Sequence, residues 1–263
     1  MSKVALGPIV ELAREAGEAI MDFYRQGETQ TWTKKDDSPL TAADLASHKV
    51  IVKGLGELTP DIPVLSEEST DITWDERRTW STYWLVDPLD GTKEFIKQNG
   101  EFTVNIALIE NNQPSLAVVY APALDKMYYA STQTGSFLSV NGETPTQLNL
   151  NNEALALPIK VVGSRSHPSP EMAGFVAQFE QVEIVPTGSS LKFCLVAQGL
   201  ADVYPRLGPT MEWDTGAGQC IAQCAGAKVS LFSGEPLDYN NKESLLNPLF
   251  IVANPNLDWE NTL

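Results

Sequence analysis

FTVNIALIENNQPSLAVVYAPALDKMYYASTQTGSFLSV, residues 102–140, decides the fold. Its apolar and β-branched residues fall into four short runs broken at Asn111–Asn112, Pro122 and Gly135. That pattern predicts four antiparallel strands joined by turns. Immediately upstream, YWLVDPLDGTKEFIKQNG, residues 83–100, is another apolar strand, and it ends in two carboxylates, Asp87 and Asp90. Asp-Pro and Asp-Gly are ordinary turn pairs, so a sharp turn would explain the stretch by itself. A seat for something positively charged would explain it equally well.

Working toward the N-terminus, IPVLSEES is a short strand running into Glu67 and Glu68. Residues 4–24 place Leu6, Ile9, Ala13, Ala16, Ile20 and Phe23 at helical spacing, which predicts an amphipathic opening helix. Thr41, with Asp44 three residues later, has capping-box spacing ahead of a second helix through about Leu58. Between the helices, TWTKKDDSPLTAAD reads as a strand and a polar turn.

Working toward the C-terminus, the character changes after about residue 155. PIKVVGS, VEIVP and ADVYP read as strands, alternating with helices over 168–179, 189–198 and 215–225. The expected organisation is a helix-plus-antiparallel-sheet half, residues 1–155, and an α/β half, residues 156–263. The fold class is accordingly α+β / α/β, with any site expected between the halves.

The chain has 263 residues and a hydrophobic fraction of 43%, enough for a packed core. Its net charge of -16 repels nucleic acid and anionic lipid at long range, which argues against a nucleic-acid partner. No run approaches the ~20 apolar residues of a transmembrane helix, and MSKVALGPIVELAREAGEAIMDFY lacks a signal-peptide core. A cytoplasmic location is expected, with contact at the inner face of the membrane left open, as is the choice between monomer and dimer. Cys194, Cys220 and Cys224 match no zinc or disulfide spacing, and buried free thiols are the ordinary reading.

The chemistry concentrates in acids at element ends. Glu67, Asp87 and Asp90 follow apolar strands, and Asp214 in MEWDTGAG precedes a helix rich in small residues. Singly, these are turn and cap residues. Brought together, they would repel one another unless cations neutralise them, and hard oxygen donors select Mg²⁺, Mn²⁺ or Ca²⁺. Carboxylate-bound Mg²⁺ usually completes its shell with phosphate oxygens, which points to phosphate chemistry.

WLVDPLDGTKEF with WDTGAG downstream resembles the paired signature of the inositol-monophosphatase-like, Mg²⁺-dependent phosphatases. The order KKDDSPLTAAD, LSEES, then the two signatures is also similar to that family's, and the resemblance covers nearly the whole chain. Within the family, SPLTAAD, VLSEE, DPLDGTKEFI, GSSLKFCLVAQG and YPRLGPTMEWDT look most like the bacterial 3'(2'),5'-bisphosphate nucleotidases, which act on adenosine 3',5'-bisphosphate. The resemblance implies a layered αβαβα sandwich of the sugar-phosphatase type, a link to sulfate assimilation, two or three Mg²⁺ sites, and inhibition by Li⁺.

Site residues follow from the same resemblance. Glu67, Asp87 and the Leu89 carbonyl would hold one Mg²⁺, and Asp87, Asp90 and Asp214 another. Thr92 with Asp36 would orient and deprotonate the attacking water. KKDD offers Asp36 or Asp37 and SEE offers Glu67 or Glu68; the family pattern selects Asp36 and Glu67. Gly91, Thr92, Ser166, His167, Ser189, Lys192, Arg206 and Asp214 would contact substrate, with the Gly188–Ser190 helix entry attracting phosphate.

Three rival readings stand beside this one. The same metal motif would serve an inositol phosphate or fructose bisphosphate. An Asp-x-Asp-Gly-Thr aspartyl-phosphate nucleophile is similar to DPLDGT, but the spacing here is one residue longer and antiparallel strands follow. A non-catalytic Mg²⁺ or anion sensor would keep the ligand shell without needing Asp36 and Thr92.

Overall fold

The amphipathic opening segment forms α1 (Leu6–Gln26), burying Ile9, Leu12, Ala13, Ala16 and Ile20 along one stripe. Strands β1 (Thr31–Thr33) and β2 (Pro39–Thr41) pair antiparallel ahead of α2 (Ala42–Leu58), which opens with the Thr41–Asp44 capping box. The computed structural model describes residues 4–27, 31–33, 39–69, 72–150, 155–163 and 170–259.

Next come β3 (Val64–Ser66), α3 (Trp74–Arg77), β4 (Thr82–Asp90) and α4 (Thr92–Ile96). Residues 102–140 do form four strands: β5 (Thr103–Glu110), β6 (Gln113–Ala121), β7 (Lys126–Ser131) and β8 (Gly135–Val140). With β9 (Thr146–Leu148) they complete a seven-stranded sheet in the order β3-β4-β5-β6-β7-β8-β9. All its pairings are antiparallel except β3 with β4.

The rest of the chain gives β10 (Ile159–Gly163), α5 (Pro170–Val176), β11 (Val182–Pro186), α6 (Leu191–Ala197), β12 (Val203–Arg206), α7 (Gly216–Cys224), β13 (Lys228–Leu231) and β14 (Phe250–Ala253). Their sheet runs β11-β10-β12-β14-β13. Only β10, β11 and β12 are parallel; β14 enters between β12 and β13 and pairs antiparallel with both. Strict α/β alternation therefore ends at β13. α7 lies between β12 and β13, but β14 follows β13 with no helix between them, which is why alternation alone does not reach it.

Three apolar clusters stack the elements into the layers α, β, α, β, α. Ile9, Ile20, Ile51 and Leu55 of α1 and α2 pack on Trp84, Val86, Val104 and Ile106 of the large sheet. Phe193, Cys194, Ala217 and Ile221 of α6 and α7 lie between that sheet's other face, at Leu85 and Ala107, and Phe250 and Val252 of the second sheet. Phe175 of α5, with Leu257 and Trp259, covers the outer face at Val161, Val203 and Ile251. Each fully buried large apolar side chain contributes ~1.5–3 kcal/mol, so the middle layer is strongly held where the candidate site opens.

Helix boundaries differ from the spacing in two places that matter. The helix expected over 189–198 starts at Leu191, because Ser189 has φ +53 and lies outside it. The helix expected over 215–225 is preceded by a 3₁₀ turn, Glu212–Asp214, and begins at Gly216. Asp214 is thus held in a turn rather than at a helix cap.

Candidate active site

Successive side chains on a strand point to opposite faces, so Asp87 and Asp90, three apart, would ordinarily diverge. The register of β4 on β5 prevents this. Asp87 pairs with Asn105 and Asp90 with Thr103, three steps on one strand against two on the other, which is a β-bulge. Parity is reset, and both carboxylates face the middle helical layer, the side occupied by Leu85 and Ala107. Ser47 Oγ of α2 donates to the Pro88 carbonyl at 2.7 Å and the Leu89 N–H donates to Asp87 Oδ1 at 3.1 Å, satisfying the bulge.

Asp214 arrives from the entry to α7. Its Oδ2 accepts from Thr210 Oγ1 at 2.7 Å and from the Met211 N–H at 2.9 Å. Among the described residues, Asp87, Asp90 and Asp214 form a group in which one carboxylate oxygen from each lies within 4.8 Å of those of the other two. Glu67, at the end of β3, adds its charge and a hydrogen bond to Asp87. Burial first, and then Glu67, Asp90 and Asp214, push the Asp87 carboxyl well above the usual carboxylate range. Burial and then Asp90 push Asp214 up to about 7. So much buried like charge is stable only if protons or cations neutralise it. The donors are all hard oxygens and fit Mg²⁺, with Glu67, Asp87, Asp90, Asp214 and the Leu89 carbonyl available to hold it.

Gly91 and Thr92 follow directly. Gly91 adopts φ +91, and a Cβ there would lie 3.2 Å from the Glu101 carbonyl oxygen and 3.3 Å from Ser189 Cβ. That close approach brings the 188–190 loop onto Asp90. Asp90 Oδ2 accepts from Ser189 Oγ at 2.6 Å, from the Ser190 N–H at 2.6 Å and from Ser190 Oγ at 2.8 Å. Thr92 opens α4, and its Oγ1 stands 3.4 Å from Asp44 Oδ1 and 3.5 Å from the Leu89 carbonyl oxygen.

A cavity of ≈ 470 Å³ opens at these groups, lined by Asp90, Thr92, Asp214, Lys192 and Arg206 among others. Lys192 Nζ donates to the Ser189 carbonyl at 2.9 Å and lies 6.0 Å from the Tyr204 ring centroid. Burial lowers its pKa against the opposing pull of Asp90. The Arg206 guanidinium donates from Nη2 to the Pro209 carbonyl, and its Nε is buried with no hydrogen-bond partner.

The expected site residues Glu67, Asp87, Leu89, Asp90, Gly91, Thr92, Ser189, Lys192, Arg206 and Asp214 thus gather around one region. Asp36, Ser166 and His167 lie outside the described residues. The spacing of the sequence passed over Asp44 as a site residue. Its capping role explains it locally, since Oδ2 accepts from the Thr41 N–H at 2.8 Å, and only the fold brings Oδ1 to Thr92. Ser190 was passed over too, because its contacts depend on the loop's approach to the bulge.

The profile of the inositol monophosphatase family matches residues 3–258. The chain is 52% identical over 249 residues to the 3'(2'),5'-bisphosphate nucleotidase CysQ of Salmonella typhimurium, covering 94% of this chain and 99% of that one. It is 50% identical to the CysQ of Escherichia coli K12, with the same coverage. A crystal structure of CysQ from Bacteroides thetaiotaomicron is similar at TM-score 0.81 and 43% identity, over 95% of this chain and 97% of that one. An inositol monophosphatase of Thermotoga maritima is similar at TM-score 0.73 and 26% identity, over 94% and 91%.

Proposed function

The chain belongs to the inositol monophosphatase family, and we propose that it is a 3'(2'),5'-bisphosphate nucleotidase that hydrolyses adenosine 3',5'-bisphosphate to AMP and phosphate, linked to sulfate assimilation. Membership makes it a phosphatase, a phosphoric monoester hydrolase. One observation carries the choice of substrate. A single cavity is lined both by Asp90 and Asp214 of the carboxylate cluster, which suits cations, and by Lys192 and Arg206. A substrate with two phosphates uses both kinds of group; an inositol monophosphate leaves the two basic groups without a phosphate to bind.

In this reading the 1–155 half supplies Glu67, Asp87, Leu89 and Asp90, and the 156–263 half supplies Asp214 and the phosphate contacts. Glu67, Asp87 and the Leu89 carbonyl would hold one Mg²⁺ and Asp87, Asp90 and Asp214 another, the site at which Li⁺ would compete. Bound Mg²⁺ supplies charge neutralisation of the phosphoryl oxygens and a lowered pKa for water.

The protein's own part is to orient that water. Thr92 Oγ1 donates to Asp44 Oδ1 and so turns a lone pair toward the cavity, where it accepts from water. As the water oxygen bonds to phosphorus and the bond from phosphorus to the 3' oxygen breaks, the water proton passes to Thr92 and that of Thr92 to Asp44, and the released 3' oxygen takes a proton from solvent water to become the 3' hydroxyl of AMP. Asp44 takes this role here on its 3.4 Å approach to Thr92, and Asp36, outside the described residues, is the alternative acceptor that the family resemblance implies. Gly91, with no Cβ, lets the loop approach; Ser189, Ser166 and His167 are proposed contacts of the substrate, and Lys192 and Arg206 bind its other phosphate.

The test is phosphate release with Mg²⁺ from adenosine 3',5'-bisphosphate, its sulfated analogue and inositol 1-phosphate. The nucleotide bisphosphate is expected to be hydrolysed far faster than the inositol ester. The reverse order overturns the substrate, and a phosphorylated Asp87 trapped during turnover overturns the direct-water reaction.

A further inference from the structure

Glu212 lies two residues before Asp214 and is 0% exposed. An isolated charge at such depth is costly, so its partners matter. Its Oε1 accepts from Lys242 Nζ at 3.0 Å and its Oε2 from the Asn240 N–H at 2.8 Å. Arg77, buried beneath the Trp74 ring, donates to Asn240 Oδ1 at 2.7 Å, and Asn240 Nδ2 donates back to the Arg77 carbonyl at 2.6 Å.

The 240–247 segment also grips the backbone of the turn. The Glu212 N–H donates to the Leu245 carbonyl at 2.9 Å, and the Asn247 N–H donates to the Thr210 carbonyl at 2.8 Å. Asn247 Nδ2 donates to the Met211 carbonyl at 2.9 Å and to Thr215 Oγ1 at 3.0 Å. Thr210 and Met211 are the groups that hold Asp214 Oδ2. The strap therefore binds the turn on both sides of the ligand and at the two residues that aim it.

We propose that Glu212 is a positioning residue: its ion pair with Lys242, buried at the Glu212 end, locks the 240–247 strap onto the 3₁₀ turn and fixes the direction of the Asp214 carboxylate. The affinity of the site for divalent cations then depends on a charge pair that touches no cation. This rests on the reading of Asp214 as a cation ligand, and the two can fail separately.

The test is Mn²⁺ binding to the full-length protein by calorimetry, with circular dichroism to verify folding. Glu212→Gln removes the charge at the buried end, and Lys242→Met removes it at the partly exposed end, where the chain tolerates the change if Glu212→Gln fails to fold. Lys242→Met should weaken Mn²⁺ binding about tenfold, the effect expected of an outer partner of a metal ligand, and Lys242→Arg should restore it. Ile9→Val, in the distant α1 core, should lower Tm without altering Mn²⁺ affinity. A folded Lys242→Met that binds Mn²⁺ within about twofold of the parent, while Asp214→Asn loses binding, overturns the positioning role. If Asp214→Asn binds Mn²⁺ as the parent does, the cation reading of Asp214 falls, and this inference with it.

Discussion

Thr92 Oγ1 and Asp44 Oδ1 stand 3.4 Å apart although 48 residues separate them in the chain. The contact joins the first turn of α2 to the first turn of α4, and both ends are pinned. Asp44 is held through the Thr41 capping box, and the bulge beside Thr92 is held by Ser47 of the same helix. A carboxylate fixed at 3.4 Å has only a few tenths of an ångström to close before it is within the ~2.6–3.2 Å reach over which it takes the hydroxyl proton.

Asp44→Asn should therefore lower kcat by about 10²–10⁴, the range of a lost general base, with little change in Mn²⁺ affinity. The amide still accepts from the Thr41 N–H, so the loss of stability should stay near ~1 kcal/mol, the scale of a helix cap. Steady-state kinetics on Asp44→Asn and Asp36→Asn side by side decide between the two carboxylates. Retention of most of the activity by Asp44→Asn removes it from the reaction.

The difference between these two acids also marks what the sequence carries. The α1 stripe and the four strands of 102–140 are local patterns, and they were legible as such. Asp87 and Asp90 were legible as a pair, but their common face depends on a one-residue register shift against β5 that strand periodicity does not contain. Asp44 was hidden by a sufficient local explanation, its cap. Glu212 was hidden because its partners, Asn240 and Lys242, lie 28 and 30 residues away in the chain, beyond α7 and β13. The order of β14 between β12 and β13 is a long-range pairing of the same kind.

Removal of metal should change how stability depends on pH. In the metal-free protein Asp214 titrates at about 7, against about 3.9 in an unfolded chain. The folded state therefore binds more protons than the unfolded state between those values, and stability contributed by protonated Asp214 is lost as pH rises through about 7. In chelator, urea unfolding should give a lower stability at pH 8 than at pH 5.5, and Mg²⁺ should restore more at pH 8. Asp214→Asn should flatten the dependence. A chelated parent protein equally stable at both values, after subtraction of that variant, contradicts the arrangement.

Gly91→Ala probes the close approach of the 188–190 loop. Its φ of +91 is strained for any L side chain, and the added Cβ meets the Glu101 carbonyl oxygen at 3.2 Å and Ser189 Cβ at 3.3 Å. A cost of ~1–3 kcal/mol is expected from the backbone alone, measured as a shift in the urea midpoint. Because the loop donates three hydrogen bonds to Asp90 Oδ2, kcat should fall as well. Unchanged turnover in the destabilised variant would mean that the loop can move away without disturbing Asp90.

Lys192 separates recognition from chemistry. Its ammonium is partly desolvated, as the lowered pKa reflects, and it is held over the cavity by the Ser189 carbonyl and the face of Tyr204. A hydrogen bond from such a group to phosphate contributes ~1.5–3 kcal/mol, which corresponds to about 10–100-fold in kcat/KM. Lys192→Met should lose that factor on adenosine 3',5'-bisphosphate, mainly through KM, and should leave adenosine 3'-monophosphate nearly unaffected because it lacks the second phosphate. The comparison is internal to one variant, so a general loss of folded protein cancels. An equal loss on both substrates would mean that Lys192 acts through Ser189 and Asp90 on the reaction itself, and the second phosphate would have to be bound elsewhere.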